Sequence, residues 1–354
     1  MSFESLPRQR EQNHFNLIRM IAASSVILSH SGNLSVSWDT PDPLYSLIGI
    51  DLGATAVLAF FAISGYFISL SFERRASNSA FLLARVTRII PALLVVSLVC
   101  AFLIGPLFTD HPLRAYFSDK SVWLYPLKNI SLVGILYAIG LPGVFMHNPT
   151  PNIVNGPLWT LLFEGACYAG LFLVGVLGLL RRERFAVIVL AWAPAYLIIR
   201  YGPWPQFRYF AVFSLPFVVG VAFYLFRAAG IRNGRVALAL FATAFALVVT
   251  GHGVEELWSV AVAYGVLWLG FARAPALQAY NKLGDFSYGT YIWGFPVGQV
   301  LAALIPGMGV AAMIALSLPL GVLCGALSWF CVERPALRLK NLADAPRRQA
   351  PTTA

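Results

Sequence analysis

Phe15-Asn16-Leu17-Ile18-Arg19-Met20-Ile21-Ala22-Ala23-Ser24-Ser25-Val26-Ile27-Leu28-Ser29-His30 is the stretch whose reading decides the fold. It is long, mostly apolar and free of helix breakers, yet it carries a guanidinium and an imidazole eleven positions apart. At 100° per residue, eleven steps return a helix to within about 20° of its starting direction. Arg19 and His30 therefore share one face, about 16 Å apart along the axis. A central Arg in a membrane helix costs roughly 2.5–3.5 kcal/mol on insertion scales. A chain that keeps both groups on one stripe is expected to use them.

The rest of the chain fits a membrane setting. Of its 354 residues, 58% are apolar and 11% charged, and the mean hydropathy is +0.73. Soluble domains carry about 25% charged residues, so the composition predicts an all-α, polytopic integral membrane protein. Windows of about 19 residues place ten transmembrane helices near 14–32, 50–71, 87–108, 157–181, 185–201, 208–227, 235–251, 256–272, 285–305 and 309–332. A further stretch, 121–146, is interrupted by Pro126, Lys128, Gly134, Gly140 and Pro142. It reads as re-entrant or interfacial, since an eleventh crossing would spoil the charge pattern. Residues 1–340 read as one membrane domain and 341–354 as a short cytoplasmic tail, with no cleavable signal peptide and no appended domain expected.

A net charge of +10 would suit nucleic acid, but the basic residues sit in short loops between spans. They occupy the N-terminus, 74–88, 181–184, 227–235, 273–282 and the tail, whereas 33–49, 252–255 and 306–308 contain no Lys or Arg. That is the positive-inside pattern. It makes a nucleic-acid partner unexpected, puts both termini in the cytoplasm, and implies a multi-pass membrane protein. Arg114, Lys120, Lys128, Arg200 and Arg208 are exceptions. Cys100, Cys167, Cys324 and Cys331 all fall in spans without CxxC or Cys/His spacing. They read as packing residues, and no metal site is expected.

Orientation assigns depth. Arg19 falls in the cytoplasmic half and His30 near the outer surface. Asp51 begins span two, and Ser64, Gly65 and Tyr66 reach the level of Arg19. Glu164, in an inward-running span, is expected near the level of His30, and Glu333 at the cytoplasmic face. His30 suits a general base, because neutral imidazole takes a proton from a hydroxyl near neutral pH. An interfacial His bonded to a backbone carbonyl is the alternative. Glu164 can orient that imidazole, or pair with any buried cation. Arg19 is either an ion-pair partner or an anion site. Arg85 and Arg88, at i and i+3, can clamp a phosphate, or are simply two positive-inside charges. The Ser64–Gly65 pair allows close helix approach. The polar run from Asp285 to Trp293 is expected to face the interior, and Trp159 reads as an interface anchor.

Six ordered segments together resemble the acyltransferase 3 family of membrane-bound acyltransferases. They are Arg19-x10-His30, Phe60–Tyr66, Arg85-x2-Arg88-Ile89-Ile90-Pro91, Gly156–Leu161 leading to Glu164 and Tyr168, Gly284–Tyr291, and Glu333-Arg334-Pro335. The resemblance implies a ten-span fold that moves an acyl group, often acetyl, from cytoplasmic acyl-CoA to a hydroxyl. Typical acceptors are saccharides of lipopolysaccharide, peptidoglycan or exopolysaccharide, including lipid-linked repeat units. It implies no permanently bound cofactor, with acyl-CoA as co-substrate.

Carried over residue by residue, His30 is the catalytic histidine, supported by Glu164 and Arg19. Arg85, Arg88, Ser64 and Tyr66 lie at the donor, with Asp51, Trp159, Asp285, Ser287, Tyr288 and Glu333 as supports. One departure stands out: relatives often carry a His in span nine where this chain has Gly294. A transporter or flippase is the rival reading, because ten spans with intramembrane charge also suit a polar pathway. The lack of an internal repeat weighs against it. An acyltransferase acting on a small secondary metabolite is the other alternative.

Overall fold

The computed structural model describes residues 13–75, 77–132, 138–228, 232–272 and 274–343. The described residues are helical, with no strand beyond one isolated bridge between Thr109 and Val144. Ten helices of sixteen residues or more occupy the ten stretches expected from hydropathy. They are α1 (Phe15–Ser35), α2 (Leu52–Arg74), α3 (Asn78–Val99), α4 (Thr160–Val176), α5 (Phe185–Tyr201), α6 (Arg208–Leu225), α7 (Gly234–Val249), α8 (Glu255–Gly270), α9 (Ser287–Leu304) and α10 (Val310–Ser328). Among the described residues, six helical segments are long and apolar enough to cross a membrane: α2, α3, α4, α5, α6 and α10 with their flanking turns. The chain is thus a multi-pass membrane protein.

Of the remaining four, α7 and α8 have sixteen residues each. Helices α1 and α9 are long but polar, and their place in the bundle explains why. Helix α1 packs against α2, α9 and α10, while α2 packs in turn on α6 and α8. Polar groups on α1 and α9 therefore meet other helices rather than lipid. Helix α5 lies on the rim, with Leu190, Leu197 and Ile198 exposed.

A close backbone approach joins α2 to α6. A methyl group on Gly65 would collide with the Phe217 carbonyl oxygen, and one on Gly220 with the Ala62 carbonyl oxygen. Without side chains at these positions the two backbones come together, as small residues permit in membranes. Gly65→Ala is expected to cost about 1–3 kcal/mol, the usual range for overpacking. A thermal melt in detergent would measure it, and an unchanged midpoint would refute the close-packing account.

One boundary differs from the sequence reading, and two other features gain a physical account. Helix α3 begins at Asn78, capped by Ser77, whose hydroxyl accepts from the Ala80 N–H at 3.2 Å. Arg85 and Arg88 therefore lie well inside the helix instead of at its start; hydropathy placed the boundary late because both arginines face inward. The stretch 121–146 holds an eleven-residue helix, Lys120–Ile130, too short to cross. Residues 133–137 lie outside the described residues, and 138–155 are irregular. Buried Gln299 on α9 pins that segment, donating to the carbonyls of Thr150 (2.8 Å) and Ile153 (2.5 Å) while accepting from Asn148 (2.7 Å). Last, Arg200 and Arg208, two of the exceptions to the charge pattern, are neutralised at the N-terminus of α8. Arg200 meets Glu255 at 2.7 Å and Glu256 at 2.9 Å, and Arg208 meets Glu255 at 2.8 Å.

Candidate active site

Helices α1, α2, α3, α4 and α9 surround a cavity of about 110 Å³, room for several water molecules. Its polar lining is Arg19, Ser64, Arg85, Arg88, Thr160, Glu164, Tyr168, Ser287, Tyr288 and Tyr291. The sequence spreads these groups over more than 270 positions, and the bundle gathers them in one place.

Asp285, just before α9, holds two of the three arginines. It accepts from Arg19 at 3.2 Å and Arg88 at 2.8 Å, and its other oxygen accepts from the Ser287 hydroxyl at 2.6 Å. Arg88 also meets Glu333 at 3.5 Å; Glu333 is almost fully buried and accepts from Ser328 at 3.0 Å. Glu333 belongs to a π-helical turn, Trp329–Glu333, that continues α10. Two guanidiniums on separate helices are thus tied to α9 and α10 by two carboxylates. Tyr288 flanks Arg88 and donates to the Ile89 carbonyl at 3.0 Å.

Arg85 differs. No carboxylate lies within ion-pair distance of it among the described residues. It donates only to the Ser71 hydroxyl at 3.4 Å, its ring neighbours are Phe81 and Tyr168, and its buried Nε has no partner. A buried guanidinium donor with no acceptor is costly, and an anion entering the cavity would satisfy it. The i, i+3 pair of the sequence therefore separates into a structural Arg88 and an available Arg85.

Glu164 accepts from the Tyr168 hydroxyl one turn on, and from Ser64 at 3.5 Å. No hydrogen bond joins it to His30. The reason lies in how α4 begins. Its leading turn, Gly156–Trp159, starts within the bundle, held where Asn155 donates to the Ile292 carbonyl (2.9 Å) and Tyr291 to the Pro157 carbonyl (2.8 Å). That start sets Glu164 beside Ser64, in the cavity that Arg19 lines and His30 does not.

His30 lines a second, much smaller crevice of about 10 Å³, with Val26, Ile27, Leu34, Pro157, Tyr291, Gly294, Phe295 and Ser317. Its ring meets Phe295 edge-on at 5.4 Å. Tyr291 lines both spaces and forms their common wall; its hydroxyl also lies 2.6 Å from that of Thr160. Sequence reasoning quoted Tyr291 within a motif but gave it no role, because nothing local shows that two cavities meet there. Gly294 is explained by Ile27: a methyl group at 294 would sit 2.5 Å from Ile27 Cγ1. The isoleucine fills the space that a span-nine side chain would need.

The other candidate residues lie elsewhere. Tyr66 is buried in an aromatic cluster with Phe15, Phe67, Tyr224 and Phe271, behind Phe67 of the cavity lining and not part of it. Trp159 packs on Phe163, Tyr209 and Phe213. Asp51 caps α2, accepting from the Ala54 N–H at 2.6 Å.

A polar, cation-bearing cavity thus lies next to a histidine crevice in the bundle. Comparison with known proteins assigns the family. A family model described as an acyltransferase domain matches residues 13–332. The chain is 29% identical over 338 residues to an O-acetyl transferase of Shigella phage Sf6, covering 92% of this chain and 96% of that one. It is 28% identical to nodulation protein 10 of Rhizobium leguminosarum bv. viciae, over 95% and 96% of the two chains. It is 30% identical to exopolysaccharide production protein ExoZ of Rhizobium meliloti (strain 1021), over 81% and 90%. No solved structure matches the chain. With the family model covering almost all of the helical bundle, the chain belongs to the acyltransferase 3 family and is an acyltransferase.

Proposed function

We propose that this protein is an inner-membrane O-acetyltransferase that moves an acetyl group from cytoplasmic acetyl-CoA to a hydroxyl of a saccharide, such as an exopolysaccharide or lipid-linked repeat unit. The observation that carries the proposal is the unpaired Arg85 guanidinium in a cavity whose far wall, Tyr291, is shared with the His30 crevice. The names of the relatives support acetyl as the group and a polysaccharide as the acceptor class. All ten long helices cross the bilayer in this reading, with both termini in the cytoplasm. Arg85 receives the donor's phosphates, the thioester arm passes Tyr291, and His30 takes the proton from the acceptor hydroxyl.

Arg85→Ala and Arg88→Ala are expected to behave differently. Loss of Arg85 raises KM for acetyl-CoA about 10- to 100-fold, corresponding to the ~1.5–3 kcal/mol of hydrogen bonds to a charged group, with little change in stability. Loss of Arg88 removes the ion-pair partner of Glu333, leaves Asp285 with Arg19 alone, and lowers the melting temperature. The assay uses radiolabelled acetyl-CoA with membranes of the native host, reading label in the polysaccharide fraction. Transfer by Arg85→Ala with an unchanged KM would overturn the donor assignment.

A further inference from the structure

The His30 crevice contains a hydroxyl that the fold leaves unused. Ser317, on α10, is 2% exposed, lines the crevice opposite His30's helix, and its Oγ has no hydrogen-bond partner. Serines and threonines inside helices commonly donate to the carbonyl four residues back. Ser31, Ser35, Ser69 and Thr87 all do so here, at 2.6–2.8 Å. Ser317 does not. Ser97 and Ser259 are also buried without partners, but they line neither cavity. Leaving a buried hydroxyl unsatisfied is unfavourable, and such a group in a native fold calls for an explanation.

We propose that the Ser317 hydroxyl donates a hydrogen bond to the thioester carbonyl oxygen of the donor, which makes Ser317 a catalytic residue. The inference rests on the acyl-CoA reading above. His30 removes the proton from the acceptor hydroxyl as that oxygen bonds to the thioester carbon. The carbonyl electron pair moves onto oxygen, where the Ser317 O–H meets it. The carbonyl then re-forms, the carbon–sulfur bond breaks, and the leaving thiolate takes the proton from the His30 imidazolium. A donor aimed at developing charge in a nearly dry crevice acts more strongly than in water. The rest of the lining, apart from His30 and the Tyr291 hydroxyl already engaged by Pro157, is apolar, so Ser317 is the donor available.

Ser317→Ala separates this role from a structural one. Removing an unsatisfied hydroxyl leaves stability equal or higher, whereas removing an oxyanion donor lowers kcat on the order of 10²-fold with KM for acetyl-CoA little changed. Ser317→Cys, a weak donor of similar size, is expected to fall between. The full-length chain is assayed in native host membranes with radiolabelled acetyl-CoA, and melted in detergent. A wild-type kcat in Ser317→Ala, or a loss of stability with kcat preserved, overturns the proposal. If the wild-type chain itself transfers no label, it is the acyl-CoA reading that fails.

Discussion

His30→Ala is expected to reduce acetyl transfer by about 10²–10⁴-fold, the range over which a positioned general base contributes. The fold should tolerate the change well. No side-chain hydrogen bond of the described residues involves His30, so its removal strands no protein donor or acceptor. The loss is its edge-on contact with Phe295 at 5.4 Å, worth about 0.5–1.5 kcal/mol for an aromatic pair. His30→Gln, which keeps much of the volume and can hydrogen-bond but is not a base near neutral pH, should be as inactive as the alanine variant. Transfer is read as label from acetyl-CoA in polysaccharide, normalised to the amount of folded protein in the membrane. Normal amounts of protein with full transfer would remove His30 from the chemistry.

Asp285→Asn is expected to cost on the order of 3–5 kcal/mol, because one carboxylate neutralises two guanidiniums. Its side chain is 13% exposed, and those of Arg19 and Arg88 about a fifth. Without Asp285, Arg88 retains Glu333 at 3.5 Å, but Arg19 keeps only the face of Phe67 at 5.1 Å. Arg19 is thus the group most exposed to the loss. Arg19→Met combined with Asp285→Asn should recover much of the stability, since it removes the stranded charge together with its partner. Detergent melts of the two single variants and the double variant measure the coupling. Additive effects would show that the pair does not interact, and Arg19 would then be free to serve as an anion site.

The two outcomes divide the stripe of α1 between different tasks. Arg19 belongs to an ion-paired joint between α1, α3 and α9, and His30 to a crevice beyond it. Ala22, Ala23, Val26 and Ile27 separate them along that face, each of them buried. The unpaired cation of the site is Arg85, on α3.

Helix content, the ten helix positions and the inward face of Asp285–Trp293 followed from apolar run lengths and composition, because burial in lipid leaves a linear record in hydropathy. The Arg19–His30 stripe was equally legible, since helical periodicity is local. Partners were not. Whether Arg19 meets Glu164 or Asp285, and whether Arg85 and Arg88 act alike, depends on which helices touch; residues 88, 285 and 333 come together only when α3, α9 and α10 pack. Glu164 lines the Arg19 cavity and not the His30 crevice because α4 starts inside the bundle, held by Asn155 and Tyr291, and no hydropathy window detects such a start. Ser317 shows the limit most plainly. In sequence it is one serine in an apolar run; in the packed bundle it is a hydroxyl without a partner beside a histidine. Local periodicity specifies which way a side chain points on its own helix, but long-range packing decides what it meets there.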